Sequence, residues 1–177
     1  MKTLLLMRHA KSDWSQGGMG DFDRSLNKRG RRAAPVMANY LRDRNLIPDL
    51  ALVSDAARTR ETWECMVEIF GERSPPHEFL HKLYLARPQA LLETINGAPD
   101  AASRLLVLGH NPGIELTAAL LAAPDQDAPG ADALAAIRNK FPTGAIAQIE
   151  LADGPWAEVQ FGSGRIRAFT APATLPD

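Results

Sequence analysis

One cysteine, Cys65, is all the thiol available to this 177-residue chain. That excludes an internal disulfide framework and leaves too few thiolates for a structural zinc site. No apolar run approaches the roughly 20 residues a membrane helix needs. The stretch after Met1-Lys2 is too short for the apolar segment of a signal peptide and is stopped by Arg8 and His9. Charge of one sign is lacking too, since 20 Lys and Arg offset 21 Asp and Glu to a formal net charge of -1. Nothing global therefore draws the chain to nucleic acid or to an anionic membrane. The default expectation is a soluble cytoplasmic protein.

Several chemistry-bearing motifs are missing as well. There is no G-x-x-x-x-G-K-[ST] nucleotide loop, no G-x-S-x-G nucleophile elbow and no carboxylate cluster of the metal-binding kind. His77 and His81 stand four residues apart, but Pro75-Pro76 just before them argue against a helix presenting both to a metal. No metal and no cofactor are called for. Without an internal repeat or an interdomain linker, the chain reads as one domain over 1–170 followed by a loose tail over 171–177.

What the chain does have is apolar mass, 45% of its residues, enough to bury a core. Thr3-Leu4-Leu5-Leu6-Met7 is a continuous apolar run suited to a strand covered on both faces, and it breaks abruptly into Arg8-His9-Ala10-Lys11. Leu50-Ala51-Leu52-Val53 is a second such run, ending at Ser54-Asp55, which are placed to cap the following helix. Arg104-Leu105-Leu106-Val107-Leu108 is a third, ending in Gly109-His110-Asn111-Pro112-Gly113, with Asn111 as the expected N-cap and Pro112 as first helical residue.

Helical patterns alternate with these strands. Asn27 caps a helix towards Arg44 that carries Pro35 inside it, an irregularity costing about 3 kcal/mol unless the helix kinks there or begins later. Trp63, Met66, Val67 and Phe70 recur as the core stripe of another helix, in which Cys65 reads as an inert thiol. Pro88 to Ile95 reads as a short helix, Glu78-Phe79-Leu80 as a short strand, and Asp13 to Asp23 as a loop over the sheet edge. Pro124 to Lys140 holds a short helix under a loop, while Gly144–Leu151 and Trp156–Phe161 read as strands joined by an Asp153-Gly154 turn. The basic cluster Arg24, Lys28, Arg29, Arg31 and Arg32 reads as a solvated helix face, except that Arg24 precedes the helix and is free to turn inward. Arg60 and Glu61 read as surface charges.

Alternating strands and helices predict an α/β fold with a mostly parallel sheet, whose strand ends gather on one edge. Three strands finish in chemistry: Arg8 and His9, then Arg58 just beyond Ser54, then His110. Two guanidiniums and two imidazoles beside a helix N-terminus suit a phosphoryl dianion, because the arginine fork matches phosphate oxygens two at a time. A neutral imidazole is a competent nucleophile, so the set points to covalent transfer of the phosphoryl group to His9, stabilised by Arg8, Arg58 and His110.

These segments also resemble a known family. Arg8-His9-Ala10 is similar to the Arg-His-Gly signature of the histidine phosphatase superfamily, the phosphoglycerate mutase-like proteins. Ser54-Asp55-Ala56-Ala57-Arg58-Thr59-Arg60-Glu61-Thr62 resembles its second arginine motif, and Gly109-His110-Asn111-Pro112-Gly113 its second histidine motif. Arg-His-Ala-Lys-Ser, Asp23-Arg24-Ser25-Leu26 with Gly30, and Phe141-Pro142-Thr143-Gly144 narrow the likeness to phosphohistidine phosphatases of the SixA type. The resemblance, spanning about residues 3 to 151, implies a three-layer α/β/α sandwich. It also implies His9 as nucleophile and Arg8, Arg58 and His110 as phosphate ligands, with Arg24 as a further one.

One departure carries information. Larger members of the family hold a glutamate as general acid between the second arginine and second histidine motifs, and here Leu83-Tyr84-Leu85-Ala86 offers no carboxylate. Expelling an alkoxide calls for a proton donor worth about 10²–10⁴-fold, whereas the imidazole of a phosphohistidine takes its proton readily. Phosphohistidine in a protein, or a small phosphorylated compound with a good leaving group, is thus the expected substrate, with Asp13, Asp21 and Asp23 as alternative acids. The competing readings are a general phosphomonoesterase or mutase-like transferase, and a phosphate-binding regulatory module without turnover.

Overall fold

The computed structural model describes residues 1–15 and 17–176; Gln16, in the Asp13–Asp23 loop, and Asp177, at the end of the expected tail, lie outside the described residues. Six strands form one sheet: β1 Lys2–Arg8, β2 Leu50–Ser54, β3 His77–Leu80, β4 Arg104–Gly109, β5 Ile146–Leu151 and β6 Arg165–Thr170. Their order is β3-β2-β4-β1-β5-β6, with β3, β2, β4 and β1 paired in parallel and β5 antiparallel to both of its neighbours.

The sheet is covered on both faces, which is why its central strands are apolar throughout. Leu4 and Leu6 of β1 enter one core with Leu105 and Val107 of β4, against helices α3 (Pro88–Asn96), α4 (Gly113–Leu121) and α5 (Ala128–Asn139). The alternate residues Leu5, Met7, Leu106 and Leu108 enter the other core, against α1 (Lys28–Asp43) and α2 (Ala57–Phe70). The result is the expected three-layer α/β/α sandwich with a mostly parallel sheet. No helix among the described residues is long and apolar enough to cross a membrane.

Helix α1 starts as expected, Asn27 Oδ1 accepting from the Gly30 N–H at 2.9 Å, and runs through Pro35 to Asp43. At Gly30 the helix comes against the chain leaving β1: a Cβ there would lie 2.1 Å from the Lys11 carbonyl oxygen. Only glycine permits this approach, which fixes the start of α1 to the segment that follows His9.

Elsewhere the local patterns mislead. Trp156–Phe161 is not a strand: Trp156–Glu158 is a 3-10 turn whose indole is fully buried and donates to Ala102 O at 2.7 Å, and the last strand is Arg165–Thr170. Its outward Arg165 and Arg167, paired with Asp125, Asp127 and Glu150, mask a strand at the sheet edge. The helix within Pro124–Lys140 is longer than expected and is capped by Asp127 through Gly130 N–H. Neither Ser54-Asp55 nor Asn111 caps a helix with its side chain; α2 begins after Ala56 and α4 after Pro112. Glu61 is half-buried and structural, accepting from the Leu26 N–H at 2.7 Å and pairing with Arg31 at 2.9 Å. Cys65 is half-buried, and burial raises its thiol pKa, as suits an unreactive group. His77 packs beside Trp63 and Phe79, whereas His81 approaches Asp55. Residues 172–174 form a 3-10 turn, and Leu175 packs against the α1–α2 core.

Candidate active site

The register sets the site. Arg8 pairs with Gly109 across β1 and β4, and Val53 with Leu108 across β2 and β4, so the three strands end level. His9, Ser54 and His110 follow directly at that edge. The His9 N–H donates to Gly109 O at 3.1 Å, and Ala10 N–H donates to Thr62 Oγ1 at 3.0 Å, tying the end of β1 to β4 and to α2.

His9 is 5% exposed and its ring has one orientation that satisfies its neighbours. Nδ1 lies 2.6 Å from Ala10 O, an acceptor, so Nδ1 carries the proton. Nε2 then keeps its lone pair and accepts from Arg58 Nε at 3.3 Å. Arg58, 2% exposed, donates with its other nitrogens to the Asp21 backbone carbonyl at 2.7 Å and to Asp21 Oδ2 at 3.0 Å.

The His110 ring lies 5.4 Å from that of His9, centroid to centroid. Its Nε2 is 2.8 Å from Ser54 Oγ, which in turn faces the Ala56 N–H at 3.4 Å. A hydroxyl both donates and accepts, and Ser54 is the partner that holds the Nε2 side of the His110 ring. The His110 Nδ1 is buried and has no partner among the described residues.

Arg8 donates through Nη1 to Phe141 O at 3.0 Å, an oxygen also held by Asn111 Nδ2 at 3.0 Å. Arg8, His9 and Arg24 line one cavity of about 250 Å³. Arg24 does turn inward: it hydrogen-bonds Ser12 Oγ, pairs with Asp21 Oδ1 at 3.0 Å and stacks on Trp14, 3.6 Å from the ring centre. All five residues expected from the sequence thus stand at one sheet edge: His9, Arg58 and His110 as neighbours, Arg8 and Arg24 around the cavity beside them.

Burial, the His110 ring and the Arg58 and Arg8 charges push the pKa of His9 down to about 3, against a pull upward from its bond to Ala10 O. Burial and then Arg58 push His110 down to about 3 as well. Both imidazoles are therefore neutral at pH 7. Burial also lowers Arg8; Glu115 opposes this and the Arg58 and Arg24 charges add to it. For Asp21 burial acts to raise the carboxyl, but hydrogen bonds from Tyr84 and Arg24 and the Arg58 charge outweigh it and hold the group well below the usual carboxylate range. Asp13, bonded to Ser15, is also low. Neither aspartate holds a proton to donate at neutral pH.

Three contributors escaped the sequence reading. Ser54 orients His110 instead of capping α2. Asp21 braces Arg58 instead of serving as an acid. Tyr84, set edge-on to His110 at 5.5 Å between ring centres, donates its hydroxyl to Asp21. Among the described residues no group of three or more His, Cys, Asp or Glu side chains is arranged to hold a metal ion.

Comparison with known proteins gives the family. The sequence model of the histidine phosphatase superfamily (branch 1) matches residues 4–84, which include Arg8, His9 and Arg58. The chain belongs to the histidine phosphatase superfamily. An uncharacterized protein of Mycobacterium tuberculosis is 36% identical over 168 residues, 94% of this chain and 99% of that protein. Among solved structures, a proposed phosphohistidine phosphatase SixA of Nakamurella multipartitia has a TM-score of 0.82 at 30% identity, covering 97% of this chain and 96% of its own. The corresponding protein of Agrobacterium tumefaciens has a TM-score of 0.79 at 31% identity, covering 97% of this chain and 98% of its own. Both likenesses cover 97% of this histidine phosphatase superfamily member, well beyond the extent of the matched residues 4–84.

Proposed function

We propose that this protein is a phosphatase that takes a phosphoryl group onto His9 Nε2 and then hydrolyses the resulting phosphohistidine. The single observation that carries this is the fixed state of His9: Nδ1–H is given to Ala10 O, so the nitrogen that faces Arg58 is the one with the lone pair. Nε2 attacks phosphorus in line, and the bond to the leaving group breaks with its electron pair. Arg58, Arg8 and His110, whose buried Nδ1 has no partner among the described residues, face the equatorial oxygens, where charge accumulates. The arriving dianion also raises the affinity of His110 for a proton, since the present depression reflects burial and the nearby Arg58 cation. Water then attacks the P–N bond, whose electron pair returns to Nε2.

The substrate class follows from the missing acid. With Asp21 and Asp13 held ionised, and Asp23 lining a separate cavity with Asp55 and Arg60, the described residues offer an alkoxide leaving group no carboxylic acid beside His9, and a leaving group that departs unaided is favoured. Phosphohistidine in a protein and small phosphorylated compounds with good leaving groups meet that condition. The names carried by the two SixA neighbours point the same way.

The test is a substrate panel run beside His9→Ala: a phosphohistidine peptide, an aryl phosphate and an alkyl phosphate, with the enzyme quenched without acid for mass spectrometry. Phosphate release from the first two, slow release from the third and a label on His9 are expected. Fast alkyl-ester turnover would indicate a general phosphomonoesterase, and binding with no label a regulatory module.

A further inference from the structure

The basic cluster at the start of α1 turns out to join the candidate active site. The cavity holding Arg8, His9 and Arg24 is also walled by Lys11 and Lys140. Lys11, Lys140, Pro142 and Thr143 wall, in addition, a second cavity of about 500 Å³ that extends to Arg29 and Arg32 on α1. The two spaces share these four lining residues and so adjoin, forming together a trough beside His9. Among the described residues no Asp or Glu lines either part. Lys11, Lys140, Arg29 and Arg32 form no ion pair among those residues, whereas Arg31 on the same helix is paired with Glu61.

This one-signed lining stands out in a chain whose net charge is -1. A cleft lined by one sign of charge concentrates its field, and mobile salt screens it less well than it would an open surface. The cations are also held by rigid parts. Asn27 N–H donates to Lys11 O at 3.0 Å and Gly30 seats α1 on the same carbonyl, fixing Arg29 and Arg32 relative to Lys11. On the other wall, Gly144 N–H lies 2.9 Å from His9 O and Phe141 O receives Arg8, fixing the segment that carries Lys140. Trp14, 80% exposed, stands with Arg24 at the rim.

We propose that this trough is a subsite for a chain of further phosphate groups, and that the protein removes the terminal phosphate of an oligophosphate. The proposal rests on the phosphohistidine mechanism above and names a substrate class for it. Lys11 and Lys140 share the cavity of His9 itself, so the anions they neutralise are the ones bonded next to the scissile phosphorus. A phosphate chain places its second phosphate there. An acidic peptide around a phosphohistidine places its nearest carboxylate several bonds further off. The leaving group fits as well. When His9 Nε2 attacks the terminal phosphorus, the P–O bond to the bridging oxygen breaks and that oxygen departs with the electron pair as the end of a shortened chain. A terminal phosphate has a second pKa of about 6, so the departing oxygen needs no acid at pH 7. Water then cleaves the P–N bond, giving inorganic phosphate and free His9.

The experiment measures phosphate release from tripolyphosphate, a nucleoside triphosphate, an aryl phosphate and a phosphohistidine peptide with acidic flanks, with and without magnesium. Wild type is compared with Arg29→Ala/Arg32→Ala and with Lys11→Ala/Lys140→Ala. The ratio of kcat/KM for tripolyphosphate to that for the aryl phosphate is expected to fall at least tenfold in each double variant. Its dependence on salt should become shallower, and circular dichroism should show the fold retained. Better use of tripolyphosphate than of the nucleotide assigns the source as inorganic chains; the reverse assigns nucleotides. Unchanged ratios, or a trough-dependent preference for the acidic peptide over both phosphate chains, would overturn the proposal while turnover of the aryl phosphate left the His9 mechanism standing. No turnover of any substrate and no label on His9 would instead remove the mechanism on which it rests.

Discussion

Asp21 Oδ2 lies 3.0 Å from Arg58 Nη2 while Nε of the same guanidinium donates to His9. The loop before α1 therefore lays an internal anion on the arginine that also faces the nucleophile. A phosphoryl dianion entering here meets an Arg58 that is already partly neutralised, and it meets like charge from Asp21. The Asp21→Asn variant keeps the backbone carbonyl contact and removes the charge. We expect inorganic phosphate to inhibit it about tenfold more tightly, a modest figure suited to a carboxylate that is 41% exposed. Turnover is expected to fall by a similar factor because the guanidinium loses its brace. Steady-state measurement of the phosphate inhibition constant and of kcat checks this; an unchanged inhibition constant would count against it.

The two depressed histidines link the site to stability. In the unfolded chain an imidazole titrates near 6.5, whereas His9 and His110 in the folded chain titrate at about 3. Between those values the unfolded state binds protons that the folded state refuses. Stability is thus unaffected by this pair above pH 6.5 and is lost progressively as pH falls towards 3. Melting curves from pH 7 to pH 4 should show a steeper fall in Tm for wild type than for His9→Asn/His110→Asn. Equal slopes would show that burial does not hold the rings neutral. The kcat/KM profile, corrected for ionisation of the substrate phosphate, should also lack a histidine limb between pH 5 and pH 7.

The parts legible in the sequence were those written in contiguous residues. Leu4 to Met7, Leu50 to Val53 and Leu105 to Leu108 are apolar without interruption because both faces of each strand are covered, and that placed His9, Arg58 and His110 at a common edge. Asn27 was legible because a cap acts three residues away. Ser54 was not, since its partner His110 lies 56 residues further on and no local pattern distinguishes that bond from a helix cap. The contact of Tyr84 with Asp21 spans 63 residues and has the same origin. Strand β6 was missed because edge strands are guarded by charge, here Arg165 and Arg167. The trough was half visible: the basic cluster was apparent, but only folding brings Lys140 opposite Lys11.

Ser54 gives a test of how His110 is set. Its hydroxyl is fully buried and is the partner of Nε2. Ser54→Ala removes the hydroxyl that holds the Nε2 side of the His110 ring. We expect kcat to fall about 10- to 100-fold, the range for a misaligned catalytic group, with KM little changed. Nitrogen NMR of the imidazole should show the tautomer populations shift. A loss of stability with kcat intact would make Ser54 a packing residue only.

Gly30 tests the geometry on which both the site and the trough depend. A methyl at this position would lie 2.1 Å from the Lys11 carbonyl oxygen and 3.0 Å from the Lys11 backbone nitrogen and carbonyl carbon. Backbone atoms on both sides meet there, so relief requires α1 to move away from the segment after His9, and no flexible side chain is available to yield instead. Gly30→Ala is expected to cost about 1–3 kcal/mol by urea unfolding, the usual range for overpacking, despite alanine's better helix propensity. Phosphatase activity should fall with it, because Lys11 is two residues from His9. The control is Gly20→Ala in the neighbouring loop, where φ is -66° and nothing lies within 4 Å of the added carbon. That change should be neutral or stabilise by a few tenths of a kcal/mol through the unfolded chain. Equal effects of the two substitutions would mean that the contact between α1 and Lys11 does not hold the site together.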